Sequence, residues 1–315
     1  MNVQHENDDV HIPDWALSLG ANGYRSFIGL IESYFTSRQM KIVTDTDAGL
    51  IKPELGSMPF SSTFGLQNIA QICQHSDRYR WSDLIRSHFD SIFEVGANES
   101  ALSVPMSDFA SVRTRLRSRL YPVDVVNHAT EVVYRSGPEG TLEVLAIDLP
   151  TTVRTVSKSE VDGWGLSTDD LFNIGQHNLR HAGLLNGNSV QLDEGIAITL
   201  FSGDAFYAAS HALIIDAYLP RENPHGILVG IPKRDVLLMH TIRNVGAMEA
   251  AVAMLQVIIG MHQDGPGSIS PFLYWHLDGE YVTLPYELTG KSLRFQPTAE
   301  FVELIDELGE VASLS

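Results

Sequence analysis

The sequence predicts an α+β fold: a mixed or mostly antiparallel sheet with helices on one face, preceded by a mostly helical lobe. Three observations carry this reading. Two pairs of apolar segments are joined by tight-turn sequences, Pro232–Asp235 and Asp278-Gly279, and the second is a strong hairpin signal. Single helical stripes punctuate the strand pairs, which argues against a regular βαβ array. Before residue 122 the apolar residues recur mainly at helical spacing.

In chain order, residues 1–20 carry turn and charge signals and are expected to be loose. Tyr24, Phe27, Ile28, Ile31 and Tyr34 mark a helix over Asn22–Tyr34. Met40–Val43 reads as a short strand. Leu50 and Ile51 lie in another extended piece, closed by Pro53 and Gly56. Ser61–Cys73 and Trp81–Phe93 read as two further helices, and Gly96–Val104 is a loop and the first boundary candidate. Residues 21–122 are assigned to the helical lobe and 123–315 to the α+β domain. Near the end of the lobe, Ser107 or Asp108 can cap a helix with the stripe Phe109, Val112 and Leu116, stopped by Pro122. Arg113, Arg115, Arg117 and Arg119 are packed into this stretch. A strand would put all four on one face, and a helix would spread them over its exposed side.

From Glu131 onward the pattern changes. Val132–Tyr134 and Leu142–Ile147 are strands about the turn SGPEG, and Thr152–Val156 is extended. Ser167 caps a helix with Asp169 and Asp170 in its first turn, where the helix dipole favours acids. Leu171, Ile174, Asn178, Leu179 and Ala182 mark one face of it. Ile196, Ile198 and Leu200 alternate as a strand, and Gly203-Asp204 turn into the helix AFYAASHALIIDAYL. Gly226–Ile231 and Val236–His240 form one hairpin, Phe272–Leu277 and Tyr281–Leu284 another, with the apolar helix Gly246–His262 between them. A last helix starts at Thr298 and packs through Phe301, Leu304, Ile305 and Leu308.

Composition narrows the function classes. With 315 residues, 44% hydrophobic and 19% charged, the chain can bury a core without staples. Its single cysteine, Cys73, excludes an intrachain disulfide and follows Ile69, Ala70 and Ile72 in a helical pattern, which fits a buried thiol in a reducing compartment. The first residues are polar and acidic, without the basic and apolar regions of a signal peptide. The apolar run Ala250–Met261 is shorter than the roughly 20 residues a membrane span needs. A cytoplasmic protein is expected. A net charge of −18 argues against nucleic acid and anionic membranes and leaves a basic protein partner or a cation.

The segment GWGLSTDDLFNIGQHNLRH resembles the helix start of the YtpQ-like bacterial proteins, a family of unknown function. The matching features are Trp164-Gly165, the acids Asp169 and Asp170, and Asn178-Leu179-Arg180. The segment HGILVGIPKRDVLLMH is similar to that family's hairpin. The resemblance covers mainly the C-terminal two-thirds of the chain; it implies a fold and no catalytic residues.

No Walker loop, GxGxxG, GxSxG or CxxC pattern occurs. His177 and His181 stand at i and i+4 on one helix and could share a metal, although no acidic base stands beside either. Ser210, His211 and Asp216 lie on one helix, but adjacent helical residues point about 100° apart, a poor geometry for a serine and its base. Asp235, His240, Tyr274 and His276 could line a cleft at the sheet edges, the basis for a hydrolase or transferase. Phe272, Tyr274, Trp275 and Tyr281 are expected to divide between the two faces of their hairpin.

Two surfaces suit binding: the last helix with Glu300, Glu303, Asp306, Glu307 and Glu310, and the arginine group Arg113, Arg115, Arg117 and Arg119. The expected function is that of a non-catalytic binding protein whose acidic surface engages a basic protein, as immunity, antitoxin or adaptor proteins do, with no cofactor. Beside it stand the enzyme and a structural subunit that buries Gly246–His262 in a homo-oligomer.

Overall fold

A computed structural model describes residues 11–54, 64–101, 106–126, 131–149, 153–193, 196–204, 206–220, 223–290 and 292–313. The chain divides into two compact units, Met1–Ser103 and Val104–Ser315.

The first unit holds α1 (Gly20–Ser37), β1 (Ile42–Asp45), β2 (Leu50–Pro53), β3 (Phe64–Gly65), α2 (Gln67–Gln74) and α3 (Trp81–Ala101). Its three strands form an antiparallel sheet in the order β1-β2-β3. Phe27, Ile31 and Phe35 recur every fourth residue on α1 and meet Ile69 and Cys73 of α2 and Ile85 and Phe89 of α3. Cys73 is fully buried, and burial pushes its thiol up to about 12. The segment expected to be loose up to residue 20 is helical over Asp14–Leu19. Ala16 and Leu19 reach the core, and their burial is what orders the turn. Residues 1–10, Gly56 and the expected helix start at Ser61 lie outside the described residues.

The second unit begins with α4 (Phe109–Val112), β4 (Leu116–Pro122), α5 (Val123–Val126), β5 (Tyr134–Ser136), β6 (Thr141–Asp148), β7 (Val153–Thr155), α6 (Lys158–Trp164) and α7 (Thr168–Ala182). It continues through β8 (Gly187–Asp193), β9 (Ile196–Phe201), a 3-10 segment (Ala208–Tyr218), β10 (Ile227–Gly230), β11 (Leu237–Thr241) and α8 (Ala247–Asp264). It closes with β12 (Leu273–Leu277), β13 (Glu280–Leu284), β14 (Tyr286–Thr289), β15 (Ser292–Phe295) and α9 (Ala299–Ser313). The fold is α+β, and the named strand pairs are antiparallel. Two sheets replace the one expected. In the smaller, β6 pairs with β4 on one side and with β5 and β7 on the other. The larger runs β13-β12-β10-β11-β9-β8, and β14-β15 form a separate ribbon.

The expected boundary at 122/123 moves to Ser103/Val104. Leu116 to Pro122 pair residue by residue with Ile147 to Thr141, and backbone groups satisfied by that ladder tie the stretch to the second unit. The helix expected over the arginines shrinks to one turn, capped by Asp108, whose side chain accepts from the Ala110 amide at 3.1 Å. A 3-10 turn at Arg113–Arg115 then leads into the strand.

The Trp164 region holds one helix more than expected. Ser157 and Glu160 form a reciprocal capping box for α6, and Gly165, in the left-handed region at φ 67°, ends it. Ser167 caps α7 as anticipated. The Trp164 indole N–H donates to the Met106 carbonyl at 2.8 Å, and the ring packs against Phe109 at 5.3 Å. Gly175 of α7 sits so close to β4 that a Cβ would lie 2.8 Å from the Ser118 amide. A glycine there costs helix propensity and lets helix and strand backbones touch.

One face of the larger sheet is covered by α8 through Ala250, Ala251, Met254, Leu255 and Ile258, and by Phe301 and Ile305 of α9. Its other face takes Ala209, Ala212 and Ile215 of the 3-10 segment and Leu120 of β4. One face of the apolar helix is therefore covered by its own sheet. Among the described residues no helix is long and apolar enough to cross a membrane.

The segment 208–218, expected as an α-helix, is 3-10 with a non-helical break at Ile214. Within it His211 is 1% exposed. The Tyr218 hydroxyl accepts from the Leu185 amide and pairs with His211 Nδ1. Burial pushes the His211 imidazole down to about 4. An unfolded histidine takes its proton near the ordinary value of about 6.5, so stability is full above that pH and is lost as pH falls toward 4. The loss amounts to about 3 kcal/mol across the window. Denaturant unfolding of the wild type and of His211→Gln at pH 7 and pH 4.5 is expected to show a smaller pH loss in the variant; equal losses would show that other groups set the slope.

Candidate functional site

The residues proposed for one catalytic cleft do not share one. β10 lies between β11 and β12. Leu228 pairs with His240 on one side and Trp275 on the other; Ile227 pairs with His276, and Val229 with Tyr274. Side chains alternate along strands, so His240 shares the face of Leu228 and Trp275, whereas Tyr274 and His276 share the opposite one. His240 Nδ1 pairs with the Ala197 carbonyl at 2.9 Å. Buried Tyr274 donates to the Glu139 carbonyl at 2.6 Å and pairs with Ser270 Oγ at 2.6 Å. Asp235 lies on the turn joining β10 and β11, with Oδ1 buried and lacking a hydrogen bond.

The Ser210, His211 and Asp216 set also disperses. Ser210 Oγ accepts from the Leu120 amide at 3.0 Å, His211 turns to Tyr218, and Asp216 pairs with Arg180 at 2.6 Å. Phe272, Tyr274, Trp275 and Tyr281 divide as expected: Trp275 joins the core under α8 and α9, and the other three join the opposite one.

His177 and His181 are exposed on α7 with ring centroids 4.6 Å apart. Among the described residues no group of three or more His, Cys, Asp or Glu could hold a metal ion. His177 also lines a cavity of about 560 Å³ with Arg113, Asp170, Asn173 and Asn178.

The four arginines do not form one exposed face. Arg113 alone is exposed, and Arg115 is half-buried. Arg117 turns inward, donates to the Thr114 and Leu116 carbonyls, and lies 4.0 Å from Asp148. Arg119 is 8% exposed. Once the stretch becomes β4, pairing with β6 carries these side chains into the unit.

The acidic row of α9 is presented as expected. Glu300, Glu303, Asp306, Glu307 and Glu310 are exposed, while Phe301 and Ile305 are buried beneath. A second acidic feature escaped the sequence. A cavity of about 480 Å³ opens where the β5–β6 turn, the 3-10 segment and the β12–β13 hairpin meet. Glu139, Asp216 and Glu280 edge it, and His276 and Tyr281 line it. His276 is buried with Nδ1 lacking a hydrogen bond. Burial pushes its imidazole down, against the opposite pull of Asp216 and Glu280. These residues come from segments far apart in sequence, and only the Asp278-Gly279 turn hinted at one wall.

Comparison with protein-family models, with curated proteins and with solved structures finds no match to this chain.

Proposed function

We propose that this is a non-catalytic binding protein that engages a basic protein partner through its acidic surface, in the manner of an immunity, antitoxin or adaptor protein. The observation that carries the reading is the outer face of α9. Glu300, Glu303, Asp306 and Glu307 are exposed side by side, and Phe301 and Ile305 anchor the helix beneath them. Like charges three and four residues apart destabilise a helix, and a cationic surface relieves that repulsion while steering association. The acid-edged cavity of Glu139, Asp216 and Glu280 adds a concave site of the same sign. The likeness of the Trp164 segment to the YtpQ-like proteins supports a bacterial origin, and reduced Cys73 suits the cytoplasm. With His240 and His276 on opposite faces, the four side chains suggested for a hydrolase or transferase do not meet as one set.

The test compares the full chain with a variant carrying Glu300→Gln, Glu303→Gln, Asp306→Asn and Glu307→Gln. Affinity capture at low salt, followed by mass spectrometry, is expected to recover a basic protein with the wild type. That protein should be lost with the variant and at high salt. Recovery of nothing, or of a protein indifferent to the four substitutions, overturns the proposal.

A further inference from the structure

Arg119 and Arg234 are brought together by the start of the 3-10 segment. The Ala209 amide donates to the Arg234 carbonyl at 3.0 Å. The next residue, Ser210, accepts from the amide of Leu120, beside Arg119. The Arg119 guanidinium lies 4.8 Å from the Tyr121 ring centroid and about 6 Å from those of Phe206 and Tyr207. It donates to the Tyr121 hydroxyl at 2.9 Å, which leaves the Tyr121 proton free to donate. Arg119 is nine-tenths buried, yet its Nε has no hydrogen bond. Arg234 lies along Gly267, where a Cβ would come within 3.1 Å of its Cγ, Cδ and Nε. Burial and then the neighbouring Arg119 weaken the hold of Arg234 on its proton, against a smaller opposite pull from Asp235 and Tyr121.

Two like charges in a half-dry setting raise the free energy of the fold unless something negative sits between them. The carboxylates at hand are committed elsewhere or fall short. Asp148 lies 4.0 Å from Arg117. Asp204 accepts from the Phe206 and Tyr207 amides at 2.8 and 2.9 Å. Asp235 pulls on Arg234 from a distance, and its Oδ1 makes no hydrogen bond. Among the described residues neither Arg119 nor Arg234 has a carboxylate within 4.0 Å.

We propose that Arg119, Arg234 and the Tyr121 hydroxyl form a binding site for a phosphate group, with Phe206 and Tyr207 as its aromatic walls. Two planar guanidinium forks match the charge and the oxygen geometry of a phosphate dianion. Phe206 is 39% exposed with its ring 6.0 Å from the Arg119 guanidinium, and the organic part of a phosphomonoester would rest against it.

The experiment titrates the full chain with inorganic phosphate and with phenyl phosphate, against chloride at equal ionic strength, by calorimetry and by thermal melting. Both phosphates are expected to bind saturably and raise Tm. Tighter binding of phenyl phosphate identifies a phosphomonoester, and equal binding identifies free phosphate. Arg234→Gln should weaken binding about tenfold or more, as loss of a charge-assisted hydrogen bond implies, and should melt no lower than wild type without phosphate. Tyr121→Phe, which leaves both charges in place, should weaken binding by a smaller factor. No saturable response to either phosphate overturns the proposal, and so does a response unchanged in both variants.

Discussion

Replacing Arg135 by alanine is expected to destabilise the second unit by about 3 kcal/mol, the range for stranding a buried charge. Glu143 is 3% exposed at its side chain and sits directly across from Arg135 in the β5–β6 ladder. Its Oε2 accepts from Arg135 Nε at 2.6 Å, and its Oε1 accepts from Gln176 of α7 at 3.0 Å. The same guanidinium lies 4.5 Å from the Phe172 ring centroid. One carboxylate thus joins two strands and a helix, and without the arginine it stays buried with the weaker half of its partners. Arg135 is a third exposed, so water recovers part of the loss and the lower end of the range applies. Urea unfolding at pH 7 measures the difference. Adding Glu143→Leu should restore much of it, because two apolar groups in place of a buried pair are often neutral. A loss well under about 1 kcal/mol in the single variant would mean that water reaches Glu143 freely.

Phe301→Ala is expected to cost about 3–5 kcal/mol, as truncation of a buried aromatic does. Phe301 is fully buried and meets the Trp275 ring edge-on at 5.5 Å. It is the main anchor of α9 on the larger sheet, with Ile305 one turn further on. The substitution changes no charge, yet it loosens the element that holds Glu300, Glu303, Asp306 and Glu307 in one row. Binding of a basic partner should therefore weaken along with stability. Denaturant unfolding checks the first effect and capture of the partner the second. A stable variant would show that the ribbon and Ile305 suffice to seat the helix, and a destabilised variant with full binding would place the recognition surface elsewhere.

These elements differ in how far the residues alone disclose them. Asp278-Gly279 is legible because a two-residue turn needs left-handed backbone, and both residues adopt it, at φ 50° and 87°. The α9 face is legible because Phe301, Leu304, Ile305 and Leu308 repeat locally. The arginine stretch is not, since its choice between helix and strand depends on β6, some twenty residues away in sequence. The signal for α6 was present in Ser157 and Glu160, whose spacing is that of a capping box. The proposed catalytic set failed on parity. Which histidine faces which way depends on β10 pairing Leu228 with His240 but Ile227 with His276. That register is a property of three strands together.

The 3-10 segment has a mechanical consequence. Short 3-10 helices hold themselves together poorly, and this one leans on its surroundings. Ser210 ties it to β4 of the smaller sheet, Tyr281 of β13 donates to its Ala212 carbonyl at 2.7 Å, and its Ala209 amide reaches the Arg234 carbonyl. Neither sheet can open without stripping the segment of bonds it cannot replace internally. The two sheets of the second unit are therefore expected to melt as a single cooperative block, with residues 208–218 acting as the clasp between them; separate transitions for the two sheets in hydrogen exchange would show otherwise.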